Sequence, residues 1–301
     1  MLSLYKNIIC TTIYQAASNY HDEFFNSLLA LNSLKYTLVL IYEDEYDLNE
    51  DIKSKLKTLC DVKTITNKNE SSIIEKRIHL MHKAIEMDGE NIIFIDSDDC
   101  FTSNGVDLHT ENLKNADFSF SDQILIDSES NLLNRTLFSN SNVPDELNSP
   151  TDLLQMNYCG LSALAFKKTA LEKIELNAIP NNILALDWFL CTQALTKGLI
   201  GKKTKDSVVL YRQHSDNTFK KDSKKELVLR KIQFTINHLS HFKEDSFVLQ
   251  KETLEKCLAA LKRDDQMAED LFKSYNSTLF PWFEDISKLA KQYKKRYTHG
   301  K

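Results

Sequence analysis

Over the first hundred residues, short apolar runs rich in β-branched side chains alternate with helix-length segments, and this alternation restricts the fold more than any other feature. The runs are Asn7–Ile13, Tyr36–Tyr42, Val62–Thr66 and Asn91–Ile95. Between them lie His21–Ser33, Asp51–Leu59 and Ser72–Glu86. Phe24, Phe25, Leu28, Leu29 and Leu31 form a helical stripe in the first of these, and Ile74, Ile78, Met81 and Ile85 form one in the third. Ser72-x-x-Glu75 reads as a capping box. The order β-α-β-α-β-α-β predicts an α/β fold, a mostly parallel sheet with helices on both faces, because parallel neighbours need a crossover that packs on the sheet. Tyr36–Tyr42 is apolar almost throughout, the pattern of a strand buried on both sides. Sheets of this kind bind ligands beyond the carboxyl ends of their strands.

The rest of the chain is less regular. Asp117–Ile126 reads as one strand and Asn131–Pro150 as a polar loop. Thr151–Met156 and Lys168–Ile174 read as short helices with apolar Leu161–Phe166 between them. Leu186–Lys197 reads as an amphipathic helix and Val208–Tyr211 as a strand. From Lys220 onward the pattern is helical, with breaks near His241–Ser246 and at Pro281. The charge changes at the same place: 18 Lys+Arg stand against 12 Asp+Glu from residue 220 onward, and 20 against 31 before it. These shifts predict a domain over residues 1–218 and a basic helical extension over 219–301. The basic charge is neither large nor interleaved with a nucleic-acid motif, so no nucleic-acid partner is expected.

Two further features narrow the class. Six glycines in 301 residues argue against a fold built on several Gly-rich phosphate loops. Cys10, Cys60, Cys100, Cys159, Cys191 and Cys257 occur singly, without a C-x-x-C pair, which reads as reduced thiols rather than a zinc site. Ile8–Tyr14 reads as a strand and not as a signal peptide, and no apolar run approaches the roughly 18 residues of a membrane span. A cytoplasmic protein is the expectation.

The chemistry gathers at one strand end. Asn91–Ile95 runs directly into Asp96-Ser97-Asp98-Asp99. Three carboxylates in four residues repel one another and call for a cation, and hard carboxylate oxygens select Mg²⁺ or Mn²⁺. The alternative is an acidic turn that caps the next helix. Two enzyme families carry such an element. In haloacid-dehalogenase-type phosphohydrolases the first acid, here Asp96, is the nucleophile.

The other is the family 2 glycosyltransferases, which the sequence resembles along roughly residues 5–218. Gly89-Glu90-Asn91-Ile92-Ile93-Phe94-Ile95-Asp96-Ser97-Asp98-Asp99 is similar to that family's strand and D-x-D-D element. Thr11-Thr12-Ile13-Tyr14 resembles its first-strand turn, without the proline and with Gln15 in place of Asn. Tyr42-Glu43-Asp44-Glu45 stands where the family has an acidic turn, and Arg77 matches an arginine on the nucleotide side. Asn157–Lys168 resembles the acceptor-side segment, Leu186-Asp187-Trp188 the E-D-W element, and Tyr211-Arg212-Gln213-His214-x-x-Asn217 the Y-R-x-H-x-x-N element.

The resemblance implies a GT-A (Rossmann-like) fold with a C-terminal helical extension. It implies a metal-dependent, inverting glycosyltransferase of the hexosyltransferase type. The donor would be a nucleoside-diphosphate sugar, with UDP the family's commonest nucleotide, and the acceptor a saccharide or lipid-linked saccharide in bacterial polysaccharide or glycoconjugate assembly. Thr11, Thr12, Tyr14, Glu43, Arg77, Asp96 and Asp98 would bind the donor nucleotide. Asp98, Asp99 and His214 would hold Mn²⁺ or Mg²⁺, and Asp187 would be the general base.

Several alternatives stay open. The alternative for Asp187 is a helix N-cap, and for His214 a loop histidine bonded to backbone; Trp188 either packs or stacks on acceptor. Arg212 reads as structural, paired with a core acid. Single histidines on helices, His79, His82, His238 and His241, are not expected to be ligands. The phosphohydrolase and a catalytically silent nucleotide-binding subunit remain the competing functions. Leu279–Phe283 with the basic stripe Lys288, Lys291, Lys294, Lys295 and Arg296 reads either as an anchor at the inner face of the cell membrane, over residues 279–297, or as a helix packed on the body or a partner. A homo-oligomer is equally open.

Overall fold

The computed structural model describes residues 5–32, 37–43, 50–66, 72–139, 142–214, 224–263 and 295. The predicted patch at 279–283, the stripe at 286–297 other than Lys295, and Asp44, Glu45 and Asn217 lie outside these residues. The chain divides into two compact units. One comprises Met1–Asn148, Tyr158–Asn181 and Leu186–His214; the other comprises Ser149–Asn157, Asn182–Ala185 and Ser215–Lys301.

The first unit opens with β1 (Tyr5–Ile13), α1 (His21–Leu29), β2 (Thr37–Glu43), α2 (Glu50–Lys57), β3 (Asp61–Ile65), α3 (Ile73–Glu86) and β4 (Gly89–Phe94). It continues with β5 (Cys100–Phe101), α4 (Gly105–Asn112), β6 (Phe118–Phe120), β7 (Gln123–Ile126), β8 (Leu132–Thr136) and β9 (Glu146–Leu147). Then come β10 (Leu164–Lys167), α5 (Lys168–Leu171), α6 (Leu186–Thr196), β11 (Gly201–Lys203) and β12 (Val209–Arg212). Among the described residues the main sheet runs β3-β2-β1-β4-β10-β6-β11-β9, and a second sheet runs β5-β12-β7-β8. The four strands of the opening alternation are parallel, and β10 enters antiparallel between β4 and β6. The result is a large mixed sheet flanked by helices.

Residue type accounts for the layering. Every residue of β2 is buried, as its unbroken apolar run requires, while edge strand β3 is exposed or half-buried throughout. Ser72 caps α3 reciprocally with Glu75, as the capping box predicts. The buried face of α3 is Leu80, Met81 and Ala84, not the isoleucine stripe, whose Ile74, Ile78 and Ile85 are half-buried. Gly198, at φ 75°, ends α6 and lets Leu199 N–H reach back to Ala194 O.

Three readings of the middle region change. Asp117–Ile126 is not one strand: it breaks at Ser121-Asp122, and its halves β6 and β7 belong to different sheets. The Asp122 carboxylate makes the corner by accepting from both Gln123 N and Phe138 N. Asn131–Pro150 is not wholly loop, since it supplies β8 and β9. The helix at Leu186 is not amphipathic: from Leu186 to Leu195 all but Asp187 and Gln193 are buried. The six cysteines are buried and form no disulfide.

In the second unit, α7 (Lys224–Leu239) and α8 (Asp245–Arg263) pack together, burying Val228, Ile232, Ile236 and Leu239 from one and Phe247, Leu254, Cys257 and Leu261 from the other. Both sets follow helical spacing. No helix among the described residues is long and apolar enough to cross a membrane.

One core residue sets an acid limit. His109 on α4 is fully buried, with Nδ1 2.9 Å from Ser119 Oγ and Nε2 without a hydrogen-bond partner. Burial lowers its pKa to about 3. The folded chain therefore refuses a proton that the unfolded chain accepts near its ordinary 6.5, so stability falls as pH drops from 6.5 towards 3. At about 1.4 kcal/mol per unit, His109 contributes a loss of about 2 kcal/mol between pH 6.5 and 5. Urea unfolding at the two pH values measures it; H109Q should flatten the slope, and an unchanged slope would exonerate His109.

Candidate active site

The fourth strand ends at Phe94, and its continuation carries Asp96, Asp98 and Asp99 into a tight turn closed by Asp99 N–H to Asp96 O at 3.1 Å. One carboxylate oxygen from each acid lies within 4.8 Å of the others. Asp99 is buried, and Asp96 and Asp98 are half-buried. Burial pushes Asp99 well above the usual carboxylate range, and the charges of Asp98 and Asp96 push the same way. Burial also acts to raise Asp98, but the hydrogen bond and charge of His214 outweigh it and leave Asp98 low. Oδ2 of Asp99 is buried without a hydrogen-bond partner.

Strand β12 delivers the remaining contacts. Arg212 N–H donates to Asp99 Oδ1 at 2.9 Å, and two residues on, His214 Nε2 lies 3.0 Å from Asp98 Oδ2. Arg212 is structural, as expected, but the acid it pairs with, Glu23 of α1, is exposed and not part of the core. Its Nε donates to Asp98 O at 2.8 Å, and its NH1 donates to Ser130 Oγ at 2.8 Å. The guanidinium lies 4.5 Å above the Tyr20 ring, which also meets the His214 ring at 5.1 Å.

The first strand faces the same turn. Tyr14 donates to Asp98, and its hydroxyl is pushed far up, first by burial and then by the surrounding acids. Thr11, Thr12, Arg77, Asp96 and Leu161 line one small cavity. Thr11 Oγ1 and Arg77 Nε are buried there without hydrogen-bond partners. Arg77 of α3 forms an ion pair with Asp96.

Asp187 stands in the first turn of α6 and is half-buried as a residue. Oδ1 accepts from Trp188 N at 2.7 Å and Oδ2 from Leu161 N at 3.0 Å. Burial lifts its pKa to about 6, against the pull of those two N–H groups and of Arg77. It is not the helix N-cap, since it lies inside the first turn and accepts from the very next residue, but its carboxylate is poised near neutrality. Trp188 is buried and packs in the core.

The structure thus brings Thr11, Thr12, Tyr14, Arg77, Asp96, Asp98, Asp99 and His214 to one strand end, with Asp187 feeling the charges of Arg77 and Asp96. Glu43 lies alongside in register with Ile13, but its carboxylate is held 2.7 Å from Lys53 Nζ. Sequence reasoning missed Tyr20, Glu23 and Ser162. Ser162 Oγ accepts from Asp96 N at 3.0 Å, and the one signal for it was a hydroxyl inside the apolar run Leu161–Phe166.

No protein-family profile matches the sequence, and no curated protein matches it. Solved structures do match in fold. S. aureus TarS residues 1–349 in complex with UDP-GlcNAc superposes with TM-score 0.56 at 14% identity, covering 83% of this chain and 70% of that one. The mannosyltransferase PcManGT from Pyrobaculum calidifontis, in complex with GDP-Man and Mn²⁺, gives TM-score 0.53 at 12% identity, covering 97% and 87%. The protein has the GT-A-like fold of these glycosyltransferases.

Proposed function

We propose that the protein is a metal-dependent, inverting glycosyltransferase of the family 2 type that moves a sugar from a nucleoside-diphosphate sugar to an acceptor hydroxyl. The carrying observation is the acid cluster: three carboxylates converge at the carboxyl end of β4, within a glycosyltransferase fold. The donor set fits a hard divalent cation, Mn²⁺ or Mg²⁺, because it is all oxygen and Asp99 Oδ2 is a buried acceptor awaiting a partner. Asp98 and Asp99 would hold the ion, with His214 beside Asp98. When bound, the ion neutralises charge that develops on the departing diphosphate.

The chain's own groups supply the rest. Arg77 neutralises Asp96, so the donor's phosphates meet less negative charge on that side. Thr11, Thr12 and Tyr14 face the nucleoside side. Asp187 takes the proton of the acceptor hydroxyl as its oxygen bonds to the anomeric carbon. The bond from that carbon to the phosphate oxygen breaks, and its electron pair leaves with the nucleoside diphosphate. Displacement from the opposite face inverts the anomeric centre. A phosphohydrolase using Asp96 as nucleophile is disfavoured, because that carboxylate is committed to Arg77.

UDP is the preferred nucleotide, in keeping with TarS, whose solved complex holds UDP-GlcNAc. Assembly of a bacterial polysaccharide or glycoconjugate is the setting we favour, with residues 1–218 as the catalytic domain and 219–301 as a helical accessory region. The test is thermal denaturation with UDP, GDP, CDP and dTDP, each with and without Mn²⁺. A nucleotide at about 100 times its Kd stabilises by about 2.7 kcal/mol, a shift of several degrees. We expect that shift for one nucleotide and only with metal. Silence across the panel would defeat the proposal.

A further inference from the structure

We infer that the 3-10 turn Leu161–Ala163 positions the whole site: Ser162 holds the acid cluster in metal-binding geometry while the neighbouring main chain orients Asp187. This rests on reading Asp96–Asp99 as the metal site and Asp187 as the base.

The register of the sheet explains why a serine stands here. In the antiparallel pair of β10 and β4, Leu164 faces Phe94. Ser162 lies two residues before Leu164, and Asp96 lies two residues after Phe94, so the two meet where the regular ladder has ended. Ile95 N–H is still satisfied by Cys10 O on β1, at 3.1 Å, but Asp96 N–H is past that pairing. Ser162, a residue 4% exposed, supplies the acceptor through its Oγ at 3.0 Å. A side chain thereby extends the ladder by one bond and fixes the first residue of the acid turn.

The same turn grips the other half of the chemistry. Leu161 N–H donates to Asp187 Oδ2 at 3.0 Å. Ala163 is itself fixed, donating to Gly160 O at 2.9 Å and accepting from Ser121 N at 3.1 Å. Leu161 and Ala163 are buried, which leaves the turn little room to shift. Three consecutive residues thus set where the metal acids lie relative to the base. Ser162 touches neither substrate nor ion in this scheme; it acts through the main chain of Asp96 and through Asp99, whose carboxylate its side chain also hydrogen-bonds.

Groups behind metal ligands typically change metal affinity by 10–100-fold when removed. The experiment titrates Mn²⁺ alone into the full chain and follows free Mn²⁺ by electron paramagnetic resonance. We expect S162A to bind Mn²⁺ about tenfold more weakly than wild type. S162T keeps the hydroxyl and should bind at the wild-type level. If S162A does not fold, S162C takes its place, since it fills the same volume with a poorer acceptor and should fall between. Wild-type Mn²⁺ affinity in S162A or S162C, even with a lowered melting temperature, would overturn the inference. Wild-type protein that binds no Mn²⁺ would instead remove the metal-site reading on which it rests.

Discussion

Replacing Asp187 by Asn lowers the transfer rate by about 10²–10⁴-fold, the range a well-placed general base contributes, and leaves donor binding intact. The substitution keeps the side-chain shape, so the acceptor and donor still assemble. Its local effect is readable from the bonds present. Both carboxylate oxygens accept main-chain N–H groups, from Trp188 and Leu161. An amide satisfies one and turns its NH₂ towards the other, a loss of about 1–3 kcal/mol. Against this, burial already disfavours the charge on Asp187, and the neutral amide escapes that penalty above pH 6. We therefore expect a folded, nucleotide-binding, inactive protein. The pH profile carries a second signature. The base must be ionised, so the wild-type rate falls as pH drops through about 6, and this limb should be missing from the residual rate of the variant. A residual rate that keeps the limb would assign the proton transfer to another group. Steady-state rates from pH 5 to 8 with saturating donor decide it.

The second large effect is at Asp98. D98N should abolish the Mn²⁺-dependent nucleotide shift and reduce turnover by about 10³-fold, because Lewis-acid stabilisation supplies several kcal/mol and each 1.4 kcal/mol is a factor of ten. Without metal the same variant should be less stable than wild type at neutral pH, because Asp98 is held below the usual carboxylate range and its charge is therefore favoured by the fold. Asp96, Asp98 and Asp99 sit within one small sphere, and Asp99 is pushed up by both neighbours as well as by burial. Removing the middle charge relieves that repulsion on Asp99, but His214 and Tyr14 lose an ionised partner, and the low position of Asp98 makes that loss the larger effect. Melting curves with and without Mn²⁺ test both halves. A D98N protein that still shows the full Mn²⁺-dependent shift would shift the metal site elsewhere.

The sheet was legible because its signal is local. Apolar runs and helical stripes between Asn7 and Ile95 each announce their own element, and the parallel order follows from the alternation. The middle of the chain failed that test for identifiable reasons. Phe118–Phe120 and Gln123–Ile126 read as one apolar stretch, and only the bonds of the Asp122 carboxylate to Gln123 N and Phe138 N separate them. Strand β8 hides because Leu132–Thr136 is an exposed hairpin arm with little apolar patterning. Helix α6 misled because Thr192 is polar yet buried, its hydroxyl satisfied by Trp188 O at 2.8 Å. In the site, the acids were found because three carboxylates at a strand end carry chemistry by themselves, and Arg77 and His214 because their segments resemble those of the family 2 glycosyltransferases. Tyr20, Glu23 and Ser162 were not, because a ring, an acid and a hydroxyl on separate elements acquire meaning only once Arg212 and Asp96 are placed.

Arg212 carries a consequence for the order in which the protein matures. It pairs with Glu23, 189 residues earlier, and its neighbour His214 meets Asp98 across 116 residues. The parallel pairings of β1 to β4 can form as soon as residue 95 leaves the ribosome, while the other edge of β4 waits for β10. The acid turn that follows remains without its arginine and histidine until the twelfth strand emerges. At about 5–20 residues per second that wait is about 6–23 s after Asp98 is made. Nascent chains would spend this interval with the opening strands made and the acid turn without the contacts of Arg212 and His214.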